Sequence, residues 1–231
     1  MSARGRMRPP NASELSAYVK QAVLVVTPRR TPAPVFDGPR AVVFVHGFLG
    51  ASALLDPLAT RVRRELGLPT LQFGYGSVGR FESIAERRAA FVEHRVPRGV
   101  GVSLVGHSLG GLLCRWYVQE LEGHRRADRL VTIATPHAGT RIAELVPTAL
   151  AAALRPGSPV VRRLEAAEGR ARLPRTTAIF GGDDTVVHPV TNAASLAEAV
   201  VHHLDAVGHN GLLYDHRTHA LVLDALREPG A

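Results

Sequence analysis

One stretch of the chain places a serine where it could act as a nucleophile. The apolar run 101–105 leads into Gly106-His107-Ser108-Leu109-Gly110, and helix-forming residues follow. This order predicts a strand, a sharp turn that carries Ser108, and a helix that leaves the turn. Such a turn strains the serine backbone and holds its hydroxyl above the sheet edge, near the N–H groups of the helix. We expect glycine at 106 and 110 because a Cβ at either position would clash where strand and helix meet.

A turn serine that only caps a helix would show the same pentapeptide, so Ser108 needs partners. A hydroxyl attacks a carbonyl poorly unless a base takes its proton and an acid orients the base. His209 is the preferred base, because it follows the last predicted strand and the adjacent Gly208 gives its loop freedom. Four other histidines lie in predicted strands or helices, where structural or solvated roles are expected: His202, His203, His216 and His219. His137 and His188 lie near the rim of the predicted site, so their position alone does not exclude them as the base.

Two neighbouring carboxylates compete to orient the base. Asp184 is preferred, because the spacing from Gly181 to Val187 places it past a strand end in a loop anchored by an apolar residue. Asp183 would then cap the loop, and the alternative assignment stays open. The order serine, aspartate, histidine along the chain is the order of the α/β-hydrolases.

Two backbone N–H groups are candidates for binding an oxyanion. One belongs to Leu109, the residue after the serine, and the other to Phe48, which follows a turn at Gly47 after an early strand. Loss of such a donor typically costs about 3 kcal/mol of transition-state stabilisation. Phe48 could also be a simple core residue, and both roles are compatible because only its backbone is needed.

Strands and helices alternate along the chain, which predicts a mostly parallel sheet with helices on both faces. Strands are predicted at 40–46, 70–73, 101–107, 129–134, 176–180 and 199–204, and helices from about 54, at 81–94, after Ser108, at 192–198 and up to about 227. The candidate residues all follow strands, at the edge where parallel sheets bind ligands. An insertion at about 141–173, with helices at 142–154 and 159–167, is expected to form a short helical cap over this edge.

The chain before the sheet reads as an extension, residues 1–38, and the hydrolase domain as residues 39–231. The extension is predicted to contain a disordered tail over residues 1–10, a helix that begins near Asn11, and a proline-rich connector. The helix is expected to pack on the body of the protein. No apolar run is long enough to cross a membrane.

Composition fits one globular domain, since 45% of the 231 residues are hydrophobic and 21% are charged. The formal net charge is +8, carried almost entirely by arginine. Aromatic residues make up only 5% and no recognition motif accompanies the charge, so nucleic acid is not an expected partner. Cys114 is the single cysteine, which excludes an internal disulfide. The N-terminal apolar run is too short for a signal peptide, so a cytoplasmic location is expected; a longer precursor would be compatible with secretion.

Four motifs together resemble the small bacterial lipase and esterase branch of the α/β-hydrolases. They are residues 45–50 (VHGFLG), 106–111 (GHSLGG), 135–140 (TPHAGT) and 208–213 (GHNGLL). The resemblance implies hydrolysis of carboxylic esters through an acyl-enzyme, with Ser108, Asp184 and His209 as a catalytic triad and the N–H groups of Phe48 and Leu109 as oxyanion donors. Many larger relatives bind calcium near the histidine loop, but no ligand cluster is found here, so no metal and no cofactor are predicted.

Several functions share this fold, so substrate class stays open. An acyl or lipid ester is favoured, because Phe48, Leu109, Leu145, Val146 and Leu150 are expected to line the site. Thioesterase, amidase and acyltransferase activities are alternatives on the same fold, and a non-catalytic binding module is an alternative of another class. The arginines could also support transient contact with an anionic lipid surface, which predicts salt-dependent binding.

Overall fold

A computed structural model describes residues 34–168 and 173–227. The predicted tail and N-terminal helix fall within residues 1–33 and so lie outside the described residues. The described part of residues 27–39 has no regular secondary structure. None of the helices in these two ranges is both long and apolar enough to cross a membrane.

Six parallel strands form the central sheet, as the sequence predicts. They are β1 (Arg40–Val45), β2 (Thr70–Phe73), β3 (Gly101–His107), β4 (Ala127–Ile133), β5 (Arg175–Gly181) and β6 (Val200–Leu204). Their order in the sheet is β2-β1-β3-β4-β5-β6, and every neighbouring pair is parallel. The chain therefore runs from β1 to the edge strand β2 and then crosses to β3, so that the direction of winding reverses between β1 and β3.

Helices cover both faces of the sheet. They are α1 (Asp56–Leu66), α2 (Phe81–Arg95), α3 (Leu109–Glu120), α4 (Ala149–Ala152), α5 (Pro159–Ala167) and α6 (His216–Arg227). Helices α2, α3 and α5 share one apolar core with one face of the sheet, and α1 and α6 share a second core with the other face. Strand β1 supplies alternate side chains to each core, Val43 and Val45 to the first and Val42 and Phe44 to the second. Its continuous apolar sequence follows from burial on both faces.

The reversal between β1 and β3 opens a crevice at the carboxyl ends of these strands, which is where open parallel sheets bind ligands. The loops after β1 and β3 carry Phe48 and Ser108 into this crevice, and the loops after β5 and β6 carry Asp184 and His209 to the same edge. The topology therefore brings together residues that are up to 161 positions apart, from Phe48 to His209.

Two predicted helices are wrong. Residues 142–154 form a 3-10 turn (Arg141–Leu145) and the short helix α4, because Pro147 lacks an N–H and disfavours helical backbone at the residue before it. Residues 192–198 form only the end of a 3-10 turn (Val190–Ala193). The Asn192 carbonyl, which a helix there would use, accepts the His137 N–H at 2.9 Å instead.

Candidate active site

Ser108 lies in a strained turn between β3 and α3. Its φ is 54° and its ψ is −122°, a left-handed conformation that a residue with a Cβ rarely adopts. The Ser108 N–H donates to the Ile133 carbonyl at 2.8 Å, which fixes the turn against the end of β4. The first residue of α3 follows directly, so the turn lies at a helix N-terminus, where the macrodipole favours negative charge.

Glycine is required on both sides of this turn, as expected. A Cβ at Gly106 would lie 2.5 Å from the Gly111 Cα, so a side chain there would push α3 away from β3. A Cβ at Gly110 would collide with the carbonyl oxygens of Val45 and His46. The close neighbour of Gly110 is therefore the end of β1, which leads into the Phe48 loop. These contacts seat the serine turn against that loop.

Asp184 and His209 form a buried pair. The His209 Nδ1 donates to the Asp184 Oδ2 at 2.8 Å, and the two side chains are 6% and 0% exposed. The second carboxylate oxygen, Oδ1, accepts the N–H groups of Val186 at 2.8 Å and Val187 at 2.9 Å. The carboxylate therefore holds the ring by one oxygen while its own loop holds the other.

The ionisation of Asp184 suits this arrangement. Burial alone would raise the pKa of its carboxyl, but the attraction of the His209 imidazole and the hydrogen bonds from His209, Val187 and Val186 outweigh burial and lower it. Asp183 is exposed on the surface. Of the two carboxylates that sequence leaves in competition, the structure therefore brings Asp184 to the histidine.

Ser108 and His209 line one cavity of about 310 Å³ at the crevice. Most of its wall is apolar. It comes from the Phe48 loop, the 3-10 turn Ser52–Leu55, residues 142–154 and the loops after β4, β5 and β6: Phe48, Leu49, Leu54, Leu55, Pro136, Ile142, Ala143, Val146, Ala151, Leu154, Val186, Val187 and Leu213. Among residues 34–168 and 173–227, no group of three or more His, Cys, Asp or Glu side chains could hold a metal ion. The cavity can thus bind an apolar group next to a serine and a histidine.

The expected lining is right in part. Phe48 and Val146 line the cavity, but Leu145 is 71% exposed and Leu150 is fully buried in the core. The prediction assumes one long helix over residues 142–154. The 3-10 turn and α4 that form instead give Leu145 and Leu150 different directions from those of a continuous helix. Leu109 is also a core residue, so any role it has at the site belongs to its backbone.

The two candidate oxyanion donors belong to the two segments that adjoin the serine, the loop after β1 and the start of α3. Leu109 is the first residue of α3, so its N–H has no acceptor within the helix. The Phe48 loop lies against the serine, since a Cβ at Gly47 would be 3.0 Å from the Ser108 Cβ and 3.1 Å from the His107 Nδ1. A side chain at this position would require its neighbours to shift by a few tenths of an ångström.

Sequence reasoning missed the residues that hold the Phe48 loop. The His46 ring stacks on Tyr75 at 4.2 Å, and its Nε2 accepts the Tyr75 N–H at 3.2 Å while its Nδ1 donates to the Gly47 carbonyl at 2.9 Å. Burial lowers the pKa of His46, so the ring stays neutral and keeps this tautomer. The Val45-His46-Gly47 motif is the signal for His46, but nothing in the sequence points to Tyr75, 29 positions away.

His107, beside the serine, supports the histidine loop. Its Nε2 donates to the His209 carbonyl at 3.2 Å, and the two rings are 4.8 Å apart. Burial, followed by repulsion from His209, lowers the pKa of His107 to about 3, so it is a neutral donor. It has no role in the sequence-based prediction.

The other histidines lie away from the serine. His137 is fully buried, with its Nε2 3.1 Å from the Thr132 hydroxyl, and His188 is exposed. His202 and His203 lie in β6 and His216 and His219 in α6, as predicted. None of these six lines the cavity.

Comparison with known proteins supports this fold and family. Residues 41–166, more than half of the chain, match the profile of the palmitoyl protein thioesterase family. A search of curated protein sequences finds no match.

Solved structures of lipases and esterases share the fold. Lipase B of Aspergillus fumigatus superposes with a TM-score of 0.69 at 19% identity, over 84% of this chain and 54% of the lipase, so this chain spans about half of that protein. The mature Bacillus licheniformis lipase BlEst2 gives 0.65 at 15% identity, over 86% and 94% of the two chains. The thermostable carboxylesterase EstE1, cloned from a metagenomic library, gives 0.64 at 14%, over 93% and 96%. With a lipase and esterase fold and a profile match over most of the sheet, the chain is an α/β-hydrolase that belongs to the palmitoyl protein thioesterase family.

Proposed function

We propose that this protein is a serine hydrolase that cleaves acyl esters and acyl thioesters through an acyl-enzyme. Ser108 is the nucleophile, His209 the general base and acid, and Asp184 the residue that orients His209. The observation that carries the proposal is the buried 2.8 Å hydrogen bond between Asp184 and His209 at a cavity that Ser108 also lines. Ser108 at a left-handed φ next to a helix N-terminus supports the same assignment.

The chemistry follows from these positions. The Ser108 Oγ attacks the substrate carbonyl carbon as the His209 Nε2 takes the hydroxyl proton, and the imidazolium that forms is stabilised by Asp184. The carbonyl oxygen becomes an oxyanion, which the N–H groups of Phe48 and Leu109 stabilise. His209 then gives its proton to the departing alkoxide or thiolate. Water, deprotonated by His209, releases the acyl group as a carboxylic acid and restores Ser108.

The apolar wall of the cavity supports an aliphatic acyl group as the part of the substrate that is bound. The family match supports thioesters as substrates beside oxygen esters. A thiolate is a better leaving group than an alkoxide and depends less on proton donation, so both substrates are compatible with one His209. The amidase and acyltransferase alternatives have no separate support in the cavity.

Labelling and hydrolysis test the assignment together. The purified protein is incubated with a fluorophosphonate probe and assayed on p-nitrophenyl esters and acyl-coenzyme A thioesters of increasing chain length. Ser108→Ala should lose labelling and at least about 10³-fold in kcat/KM. Ser195→Ala, at an exposed serine outside the cavity, is the control. Equal activity in wild type and Ser108→Ala would contradict the proposal.

Two neighbouring carboxylates give a matched test of the acid. Asp184→Asn keeps the size of the side chain but removes the charge that orients His209, so kcat/KM should fall by about 10³- to 10⁴-fold. Asp183→Asn changes an exposed carboxylate one residue away and should stay within about twofold of wild type, by the usual small effect of surface substitutions. Equal losses of kcat/KM in Asp184→Asn and Asp183→Asn would contradict the role of Asp184 as the residue that orients His209.

Transient contact with a lipid surface is part of the proposal. Leu49, on the cavity wall, is 78% exposed, and its N–H donates to the Ser77 hydroxyl beside Val78, which is 87% exposed. Apolar side chains at the mouth of the cavity support entry of acyl chains from a lipid phase, and the net charge of +8 favours anionic lipid. Sedimentation with phosphatidylglycerol vesicles at rising salt tests this, with Leu49→Ser as the variant that should bind less.

A further inference from the structure

Thr140 ends the motif Thr135-Pro136-His137-Ala138-Gly139-Thr140, which the proposed chemistry leaves without a role. It is buried, and it lies where the loop after β4 meets the loop after β5. Its hydroxyl donates to the Val186 carbonyl at 2.6 Å and accepts the His188 N–H at 2.9 Å. One side chain thus binds two peptide groups of the Asp184 loop.

The peptide groups that Thr140 binds adjoin those that hold the carboxylate. The N–H of Val186 donates to the Asp184 Oδ1, and the carbonyl of the same residue accepts from Thr140. Three hydrogen bonds therefore connect Thr140 to His209: Thr140 to Val186, Val186 to Asp184, and His209 to Asp184. Movement of Val186 would change the position of the carboxylate and, through it, the ring.

Two further hydrogen bonds keep the two loops together around Thr140. The Arg141 N–H donates to the His188 carbonyl at 2.9 Å, and the Asn192 side-chain amide donates to the Gly139 carbonyl at 2.8 Å. These contacts fix the outer parts of the loops. The hydroxyl of Thr140, by contrast, binds Val186, the residue whose N–H donates to Asp184.

We propose that Thr140 is a positioning residue that sets the Asp184–His209 pair through Val186. The inference rests on the proposed function, since it assigns Thr140 a role in the same reaction. Thr140 also lines the cavity, so the alternative is direct contact with substrate. Positioning predicts a loss in kcat, whereas substrate contact predicts a change in KM.

Three substitutions separate the hydroxyl from the shape of the side chain. Thr140→Val keeps the shape and removes the hydrogen bonds to Val186 and His188, together with a weaker one that the hydroxyl accepts from the Ile142 N–H at 3.4 Å. The value of kcat should therefore fall by about 10- to 100-fold with KM within about twofold, by the usual cost of small misplacements. Thr140→Ser keeps the hydroxyl and should stay within about threefold of wild type, which keeps the proposal testable should Thr140→Val fold poorly. Thr218→Val is the control, because this buried threonine on α6 has a hydroxyl without a hydrogen-bond partner in the described residues.

A double-mutant cycle with Asp184→Asn tests whether Thr140 acts through the carboxylate. The readout is the second-order rate of Ser108 labelling by a fluorophosphonate probe, which requires no turnover. Thr140→Val should slow labelling in the wild-type background and change it by less than about twofold when Asp184 is already replaced, because coupled residues are not additive. A purely structural effect would slow labelling by the same factor in both backgrounds.

The outcomes distinguish this inference from the function on which it rests. Wild-type rates in Thr140→Val, a loss confined to KM, no recovery in Thr140→Ser, or an undiminished effect with Asp184→Asn would each overturn the role of Thr140 alone. Equal activity of wild type and Ser108→Ala would overturn the proposed function, and the role of Thr140 with it.

Discussion

The Tyr75 side chain and backbone both bind His46. The phenol donates to the His46 carbonyl at 2.7 Å, the Tyr75 N–H donates to the His46 Nε2, and the rings stack with an interplanar angle of 8°. His46 directly precedes Gly47 and Phe48, whose loop lies against Ser108. Tyr75 therefore holds the loop that supplies a proposed oxyanion donor, although it lies at the end of a different strand.

Tyr75→Phe removes the phenol and keeps the ring stack. The His46 carbonyl loses a buried hydrogen bond, which should lower the free energy of unfolding by about 1–2 kcal/mol. The Phe48 loop should also loosen, so kcat on a p-nitrophenyl ester should fall by up to about tenfold, by the sensitivity of catalysis to small displacements. Steady-state kinetics and urea unfolding measure the two effects.

Tyr117→Phe is the matched control for this prediction. Its phenol donates to Glu93 at 3.3 Å, and Tyr117 does not line the cavity. It should lose stability without losing kcat. A fall in kcat that is equal in the two variants would trace to stability and would remove the special role of Tyr75.

Gly47→Ala tests how closely the Phe48 loop must approach the serine. The new Cβ would lie 3.0 Å from the Ser108 Cβ and 3.3 Å from the His107 carbonyl oxygen, so the loop or the serine turn must shift by a few tenths of an ångström. A small displacement of one oxyanion donor should lower kcat by about 10-fold, less than the roughly 10²- to 10³-fold cost of removing a donor altogether. Gly76→Ala is the control, because a Cβ there meets nothing within 4 Å. Unchanged kcat in Gly47→Ala would contradict the requirement for a close approach of the loop to the serine.

Much of the fold follows from local sequence. The apolar runs predict the first and last residue of every strand to within two positions. The glycines around Ser108 predict a sharp turn, and this turn is tightly packed in the structure. The choice of Asp184 over Asp183 rests on spacing, and burial gives the physical reason for it. These features depend on neighbours in the chain, so a single sequence carries them.

Features that depend on distant contacts escape local reasoning. The pairing of His46 with Tyr75 and the position of Thr140 arise from loops that meet only when the sheet forms. The helix predicted at 192–198 fails for the same reason, because the Asn192 carbonyl accepts an N–H from another loop. Pro147, by contrast, is a local signal that would have corrected the helix predicted at 142–154.

Buried histidines should make stability depend on pH. Burial lowers the pKa of His46, His107, His137 and His219 in the folded protein. The unfolded chain therefore takes up protons at higher pH than the folded one. Each neutral buried histidine therefore contributes fully to the free energy of unfolding above the unfolded pKa of about 6.5. As pH falls from there toward the folded pKa, that contribution is lost by about 1.4 kcal/mol per pH unit.

His107→Gln isolates one of these histidines. Since the folded pKa of His107 is about 3, its replacement should reduce the slope of unfolding free energy against pH by about 1.4 kcal/mol per unit between pH 6 and 4. Urea unfolding at half-unit steps of pH measures the slope. His124→Gln, at an exposed position, is the control. A slope unchanged by His107→Gln would show that His107 is protonated in the folded protein.

Glu168, at the end of α5, contacts α3, the helix that begins after the serine. Arg115 of α3 is fully buried and donates to the Glu168 carboxylate at 2.7 Å and to the Leu164 carbonyl of α5 at 3.2 Å. Burial lowers the pKa of Arg115 to about 10, and Glu168 opposes this effect, so the guanidinium depends on its partner. Glu168→Ala leaves that buried charge without its hydrogen-bonded carboxylate. It should cost about 2–3 kcal/mol of unfolding free energy, below the 3–5 kcal/mol typical of fully buried pairs because Glu168 is 27% exposed.

Surface ion pairs give the comparison that decides this last prediction. Asp224 accepts from Arg227 at 3.0 Å, but both side chains are at least half exposed, so Asp224→Ala should cost less than about 1 kcal/mol. Urea unfolding of the two variants at low and high salt separates the cases, because salt screens an exposed pair more than a buried one. A cost for Glu168→Ala as small as that for Asp224→Ala would show that water replaces the carboxylate at Arg115, and that α5 is held by its apolar contacts.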